Sequence, residues 1–251
     1  MLTGLAAAVL AFIVATLLGE SQGQQAIAFG EARAAAAAGG PADPVLVSRG
    51  VQSTLGLATG LLVYSVAIGG LFALAYACAQ GRLGTASART TAALVALAGF
   101  TGAYLLPSLK YPANPPSIGN PDTIGHRTAL YFGMLAISVL VVIGSAIEAR
   151  RLAARLGNWN AALLAAGGGL VAIGLAYLAL PAVHETPPGF PADVLWRFRL
   201  AAITIQATIW LTIGLLFGAL TERTLSPAEH RRYREDTGHH GSARTAPDAD
   251  G

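Results

Sequence analysis

Long apolar runs without a charged residue recur along this chain, and they constrain its fold more than any other feature. A helix of about 20 apolar residues is long enough to cross the hydrocarbon core of a bilayer. Charged residues make up 12% of the sequence, about half of the ~25% that is usual in a soluble domain. These patterns predict an all-α, polytopic integral membrane protein. Its six predicted spans are Leu2–Leu18, Leu55–Ala79, Thr91–Leu106, Thr128–Ile147, Ala161–Leu180 and Ala201–Leu220.

The positions of the basic residues predict how these spans are oriented. The two short connections between spans hold several arginines, which are Arg82, Arg89, Arg150, Arg151 and Arg155. Short connections rich in arginine stay in the cytoplasm, so both termini are predicted to be cytoplasmic and the three longer connections to face outward. The helices then form three hairpins with long outer loops. Residues 1–220 make the transmembrane domain, and residues 221–251 are predicted to be a disordered polar cytoplasmic tail.

The connection between the third and fourth spans has an unusual composition. The stretch Leu106 to Arg127 contains the only lysine of the chain and five prolines. Prolines at this density exclude a helix and favour a stiff loop of defined shape, so we predict a shaped polar surface here. The residues expected to build this surface and the neighbouring outer helix ends are Lys110, Tyr111, Pro112, Pro115, Pro116, Arg127, Trp196, Arg197 and Arg199.

Ionisable residues collect at the predicted outer ends of the spans. Oxygen ligands combined with one or two imidazoles suit a divalent first-row metal ion. The candidate metal ligands are Glu20, Asn114, Asp122, His126, His184 and Glu185. We expect the three from the proline-rich loop, which are Asn114, Asp122 and His126, to face His184 and Glu185 across the outer opening. A solvated helix end is the alternative interpretation, because no known zinc-site spacing occurs in the chain.

The remaining polar residues allow more than one interpretation. Arg127, Arg197 and Arg199 are predicted to pair with Asp122, Glu185 or Asp193, or to reach lipid phosphates. A line of hydroxyls and one amide on the last span favours hydrogen bonds between helices, with the lining of a transport path as the alternative; its members are Thr204, Gln206, Thr208 and Thr212. No nucleophile–base pair and no phosphate-binding glycine loop occurs, so no catalytic residue is predicted.

Several short strings in the chain resemble one known family. Val47 to Gln52 reads VSRGVQ, Leu109 to Pro116 reads LKYPANPP, Asp122 to Thr128 reads DTIGHRT, and Leu195 to Arg199 reads LWRFR. These strings are similar to the CbtA-like family of predicted cobalt transporter subunits, and the resemblance covers nearly all of the chain except the tail. One departure is Gly30, which stands where a second acidic residue is expected beside Glu31.

The resemblance implies a membrane subunit, in the cytoplasmic (inner) membrane of a bacterium, that admits cobalt(II) for cobalamin synthesis. It implies a second, small, single-span, His-bearing protein of the same transporter as partner, beside the lipid bilayer. It implies no permanently bound cofactor, no enzyme activity and no nucleic-acid partner. Two alternatives are a non-transporting scaffold or assembly subunit, and a membrane enzyme that acts on a lipid substrate.

Overall fold

The protein is a bundle of helices in which the longer connections meet at one end. A computed structural model describes residues 1–38, 48–84, 86–183 and 185–242. These described residues contain helices and no strand, which confirms the predicted all-α class. The helices are α1 (Leu2–Leu18), α2 (Glu20–Ala38), α3 (Gln52–Ala79), α4 (Ala88–Lys110), α5 (Ile124–Ala179) and α6 (Ala192–Ser242). A π-helical turn lies in each of α3 and α4, at Gln52–Gly56 and Phe100–Leu105.

Four of the described helices are long and apolar enough to cross a membrane, so the prediction of six spans in three hairpins is not confirmed. They are α3, α4, α5 and the part of α6 up to Thr224. Helices α1 and α2 meet at a bend of 55° and would count as a fifth span if they crossed together. Two separate spans were predicted within 124–179, whereas α5 covers both of these apolar runs. Many large apolar side chains on these helices are exposed, as expected where lipid covers them.

Helix α5 folds back on itself at Gly157. This glycine has φ 76° and ψ 160°, a backbone conformation that is essentially restricted to glycine. A methyl group on Gly169 would lie 2.5 Å from the Ser145 hydroxyl oxygen. Those two residues would be about 36 Å apart in a straight helix. The chain therefore reverses at Gly157, and the predicted spans Thr128–Ile147 and Ala161–Leu180 lie on two different arms of α5.

Small residues let the helices approach closely in the core. Helix α1 packs on α3 where a methyl group on Gly4 would lie 2.6 Å from the Ser65 carbonyl oxygen. Helix α6 packs on α4, since a methyl group on Gly214 would lie 2.5 Å from the Ala96 Cβ. Contacts at this distance need glycine, as in the close helix crossings of membrane proteins. The buried side chains between these helices include Phe72, Tyr76, Ile209, Trp210 and Ile213.

Helix α2 forms part of the first long connection, which was predicted to be a loop. Its alanine, glutamine and glutamate residues have high helix propensity, which explains why the helix forms. Helix α2 buries Ala26 against Ile118, Phe190 and Val194. The rings of Phe29 and Phe190 meet edge to face with centroids 5.1 Å apart. The connection is therefore a folded cover over the proline-rich loop.

The last helix extends beyond the predicted end of the sixth span. The bounds of α6 run to Ser242, and residues 243–251 lie outside the described part of the chain. The predicted disordered tail stays a prediction.

Candidate functional site

The proline-rich loop begins with hydrogen bonds to the end of α5. The Lys110 ammonium donates to the Tyr177 carbonyl oxygen at 2.7 Å, and the Tyr111 hydroxyl donates to the Pro181 carbonyl oxygen at 2.8 Å. The Tyr177 hydroxyl donates in return to the Leu106 carbonyl oxygen. Burial raises the pKa of Tyr111 above its ordinary value, so the hydroxyl keeps the proton that it donates. These bonds fix the start of the loop against the second arm of α5.

The middle of the loop is held by α6. The Arg199 guanidinium donates to the Ala113 carbonyl oxygen at 3.4 Å and to the Asn114 amide oxygen at 3.3 Å. Proline has no N–H, so the prolines beside these residues cannot donate to other parts of the loop. Side-chain donors from neighbouring helices therefore provide much of the bonding that gives the loop its shape.

A largely buried ion pair joins the first turn of α5 to the connection before α6. The Arg127 Nη1 lies 2.5 Å from the Glu185 Oε2, with side-chain exposures of 26% and 9%. The Thr123 hydroxyl donates to the other carboxylate oxygen of Glu185. Gly119, at φ 117°, crosses directly over this pair, since a methyl group there would lie 2.7 Å from the Arg127 Nη1. Of the carboxylates considered for Arg127, the structure pairs it with Glu185.

These anchored segments enclose an open polar cleft of about 1210 Å³ at one end of the bundle. Nine of the residues singled out in the sequence line it: Lys110, Tyr111, Pro112, Asn114, Pro115, Pro116, Arg127, Glu185 and Arg199. Tyr131 and Phe132 of α5 add aromatic surface to the wall. Counted over the described residues, the cleft therefore has three cationic side chains and one carboxylate.

A second, smaller cleft of about 480 Å³ lies between α2 and the same loop. Phe29 and Arg33 line it from α2, and Asn120 and Glu185 line it from the other side. The segment 117–120 lies in the walls of both clefts and so separates them. Gly30 packs against this segment, because a methyl group there would lie 2.8 Å from the Ser117 Cβ. A second acidic side chain at position 30 would not fit in this packing.

The structure brings together two of the six candidate metal ligands. Asn114 and Glu185 both line the larger cleft. Asp122 and His126 are exposed and do not line it. Glu20 begins α2 and accepts a hydrogen bond from Gln24.

The sixth candidate ligand, His184, lies outside the described residues. Among the described residues, no group of three or more His, Cys, Asp or Glu side chains is placed to hold a metal ion. Asp122 lies in the turn Pro121–Thr123 and His126 in the first turn of α5, and neither lines the cleft with Glu185. A metal role for these residues stays a prediction.

The other predicted residues of α6 lie away from the cleft lining. Trp196 and Arg197 are exposed near the start of the helix. The Thr204 and Thr208 hydroxyls donate to the carbonyl oxygens four residues earlier in their own helix. The Gln206 amide oxygen accepts from the Tyr64 hydroxyl at 3.1 Å and so connects α6 to α3, while Thr212 is half-buried.

Gly119 and Thr123 contact the ion pair, although neither was predicted as a site residue. One signal was present, since Asn followed by Pro favours the start of a turn. The Asn120 amide oxygen indeed accepts from the Asp122 N–H at 3.0 Å, and the Thr123 hydroxyl turns back to the Asn120 carbonyl oxygen. This turn places Thr123 beside Glu185.

The apolar helices indicate a helical membrane protein, and the polar cleft at their end is large enough to bind a small ligand. The family model for "Probable cobalt transporter subunit (CbtA)" matches residues 1–222, and the chain belongs to that family. The resemblance seen in the sequence is thereby confirmed, and the family is one of transporter subunits and not of enzymes. Comparisons with curated proteins and with solved structures find no match.

Proposed function

We propose that this protein is the membrane subunit of an uptake system that carries cobalt(II) into the cell for cobalamin synthesis. The observation that carries the proposal is the family match over residues 1–222. The cleft supports it, since its walls come from the connections between the apolar helices and from the adjoining ends of those helices. A transported ion must enter the protein through such a polar region before it passes between the spans.

The proposed topology has six crossings in three hairpins, with both termini in the cytoplasm. The reversal of α5 at Gly157 supports it, because each arm of α5 then crosses once. The first hairpin is α1 with α3, the second is α4 with the first arm, and the third is the second arm with α6. All three outer connections then contribute to the two clefts, and Arg150, Arg151 and Arg155 lie at the cytoplasmic side.

We further propose that a partner, a small single-span protein with histidines, supplies metal ligands. The family is described as a transporter subunit, which implies at least one other component. The described residues bring together too few His, Cys, Asp and Glu side chains for a metal site of their own.

The test is uptake of radioactive cobalt by cells that lack the gene, at limiting cobalt concentration. We expect uptake to fall in the deletion strain and to return when the gene is re-expressed. As a matched control, uptake of a monovalent cation such as rubidium should be equal in all strains. Normal cobalt uptake in the deletion strain, with no change on re-expression, would contradict the proposal.

A scaffold role is the second candidate function. The observation in its favour is that Lys110, Arg199 and the Arg127–Glu185 pair bond the proline-rich loop and its ends to α5, to α6 and to the connection before α6. A rigid surface of this kind suits a protein that docks a transporting partner. Cobalt transport into liposomes separates the two functions, when it is measured with this protein alone, with the partner alone and with both. Transport by the partner alone at the full rate would favour neither role for this chain.

A further inference from the structure

We propose that the larger cleft binds a carboxylate-bearing anion, and that the metal reaches this protein as an anionic polycarboxylate chelate instead of as the bare hydrated cation. The chelate part of this inference rests on the proposed cobalt function, whereas binding of the anion to the cleft can be measured by itself.

The charges that line the cleft favour an anion. Lys110, Arg127 and Arg199 face a single described carboxylate, that of Glu185, which is already paired with Arg127. The described contacts of Lys110 and Arg199 are to carbonyl and amide oxygens and the Tyr111 ring, and no described carboxylate neutralises either of them. A wall with this excess of positive charge repels a divalent cation and attracts a negative ligand.

The donor geometry favours carboxylate as the anionic group. Arginine presents several N–H groups in a planar fork that matches a carboxylate. Toward the described residues, Arg199 uses two of its donors, at 3.3 and 3.4 Å, for the loop. The Lys110 ammonium has three protons, one of which goes to the Tyr177 carbonyl oxygen. Both cations therefore keep donors for a ligand while they hold the loop.

The size of the cleft favours a small molecule over a single ion. Its volume of about 1210 Å³ is larger than that of the usual small-molecule sites, ~300–1,000 Å³. A bare divalent ion needs several protein oxygens or imidazoles at about 2 Å, and the described residues hold no group of three such His, Cys, Asp or Glu side chains. A chelate brings its own oxygen ligands, so the protein has only to recognise the outside of the complex.

The binding test uses purified protein in a phospholipid-free detergent, with citrate as the polycarboxylate probe. We expect isothermal titration to show binding of citrate and of cobalt citrate, and much weaker binding of cobalt chloride. Citrate affinity should fall as sodium chloride is raised, because salt screens charges in an open cleft. Tight binding of cobalt chloride together with no binding of citrate would overturn the inference.

The variants compare cations inside and outside the cleft. Arg199→Gln and Lys110→Met should each weaken citrate binding about tenfold or more, as expected when a charged hydrogen bond is lost. Arg199→Lys, which keeps the charge but not the planar fork of donors, should lose less than Arg199→Gln. Arg150→Gln, which removes a cation outside the cleft lining, should bind citrate normally. Equal citrate affinity in Arg199→Gln and Arg150→Gln would overturn the assignment to this cleft.

A lipid phosphate is the competing ligand, and a second titration separates it. Phosphatidylglycerol added to the micelles should leave citrate affinity unchanged when the cleft is specific for carboxylates. If phosphatidylglycerol displaces citrate, the cleft is a lipid-headgroup site and the inference fails.

Uptake by cells then distinguishes this inference from the proposed function. At constant total cobalt, rising citrate lowers the free cation and raises the chelate. We expect the uptake that depends on this gene to increase with citrate. Gene-dependent uptake that falls with citrate overturns the inference and leaves the cobalt function intact. No gene-dependent uptake at any citrate concentration overturns the cobalt function itself.

Discussion

The ion pair between Arg127 and Glu185 is a largely buried charge pair in the candidate site. The Glu185 side chain is 9% exposed, and removal of the arginine would leave its charge buried without a cationic partner, bonded to the Thr123 hydroxyl. Loss of one partner from a fully buried pair costs about 3–5 kcal/mol. Because the Arg127 side chain is 26% exposed, water can replace part of the lost interaction. The pair links α5 to the connection before α6, and a variant can measure its contribution to the unfolding free energy.

We expect Arg127→Met to destabilise the protein by about 2 kcal/mol, somewhat below the fully buried case. Thermal unfolding in detergent measures the loss for Arg127→Met, Glu185→Leu and the double variant. The double variant should be more stable than the sum of the single losses predicts, because it buries no unpaired charge. Strictly additive losses would show that the two side chains are not coupled.

Gly119 is the second residue with a sharp expected effect. Its φ of 117° is strained for any residue with a Cβ, and the added methyl group would lie 2.8 Å from the Glu185 Oε2 as well as close to Arg127. We expect Gly119→Ala to lower the unfolding free energy by more than about 1 kcal/mol. Gly133→Ala is the matched control, since a helical glycine with open space around it should tolerate alanine. A Gly119→Ala variant as stable as this control would contradict the described path of the loop.

At the scale of elements, the proline-rich loop was predictable and the helix α2 was not. Local chemistry decides the outcome at 111–120, where three of the five prolines lie and no α-helix forms. The prediction was wrong at the ends of Leu106–Arg127, because α4 continues past Pro107 to Lys110 and α5 begins at Ile124. Helix α2 has a less clear signal, because its composition is mixed and its burial depends on Ile118 and Phe190 from distant parts of the chain. Likewise, the sequence did not predict which carboxylate pairs with Arg127, because the pairing depends on contacts that only the complete fold creates.

The reversal of α5 gives an element-scale prediction. The Ser145 Cβ lies 3.6 Å from the position that a Cβ on Gly169 would take, which suits a disulfide. We expect the variant Ser145→Cys with Gly169→Cys, in a Cys78→Ser background, to form an intramolecular disulfide on mild oxidation. Mass spectrometry of the digested protein detects the cross-linked peptide.

The control for this cross-link is the neighbouring pair, Ser145→Cys with Gly168→Cys. A Cβ on Gly168 has nothing within 4 Å, so this pair should stay reduced. Absence of the disulfide in the first pair, or equal oxidation of both pairs, would argue for a helix without the fold-back at Gly157.

At the scale of the whole molecule, the cleft exists because the longer connections lie at the same end of the bundle. Helix α2 contacts the proline-rich loop and Phe190, and the loop in turn bonds to Pro181 and Arg199. The opposite end holds the pairing of Arg89 with Glu222, between the start of α4 and the end of the α6 span. The sequence predicted that these connections share a side, since charge bias acts on each connection separately. It did not predict which side chains meet there, because that depends on helix packing.

The same charge bias predicts the side of the membrane that the cleft faces, and this prediction can be tested directly. Thr186 lines the cleft and Asn158 lies beside the reversal of α5, at the far end of its second arm. In a Cys78→Ser background, we expect Thr186→Cys to react with a membrane-impermeant maleimide in intact cells. Asn158→Cys should react only after the membrane is opened, because the nearby arginines predict a cytoplasmic position for that end. The reverse pattern would place the cleft in the cytoplasm, where it would receive or release the metal on the inner side and could not be the point of entry.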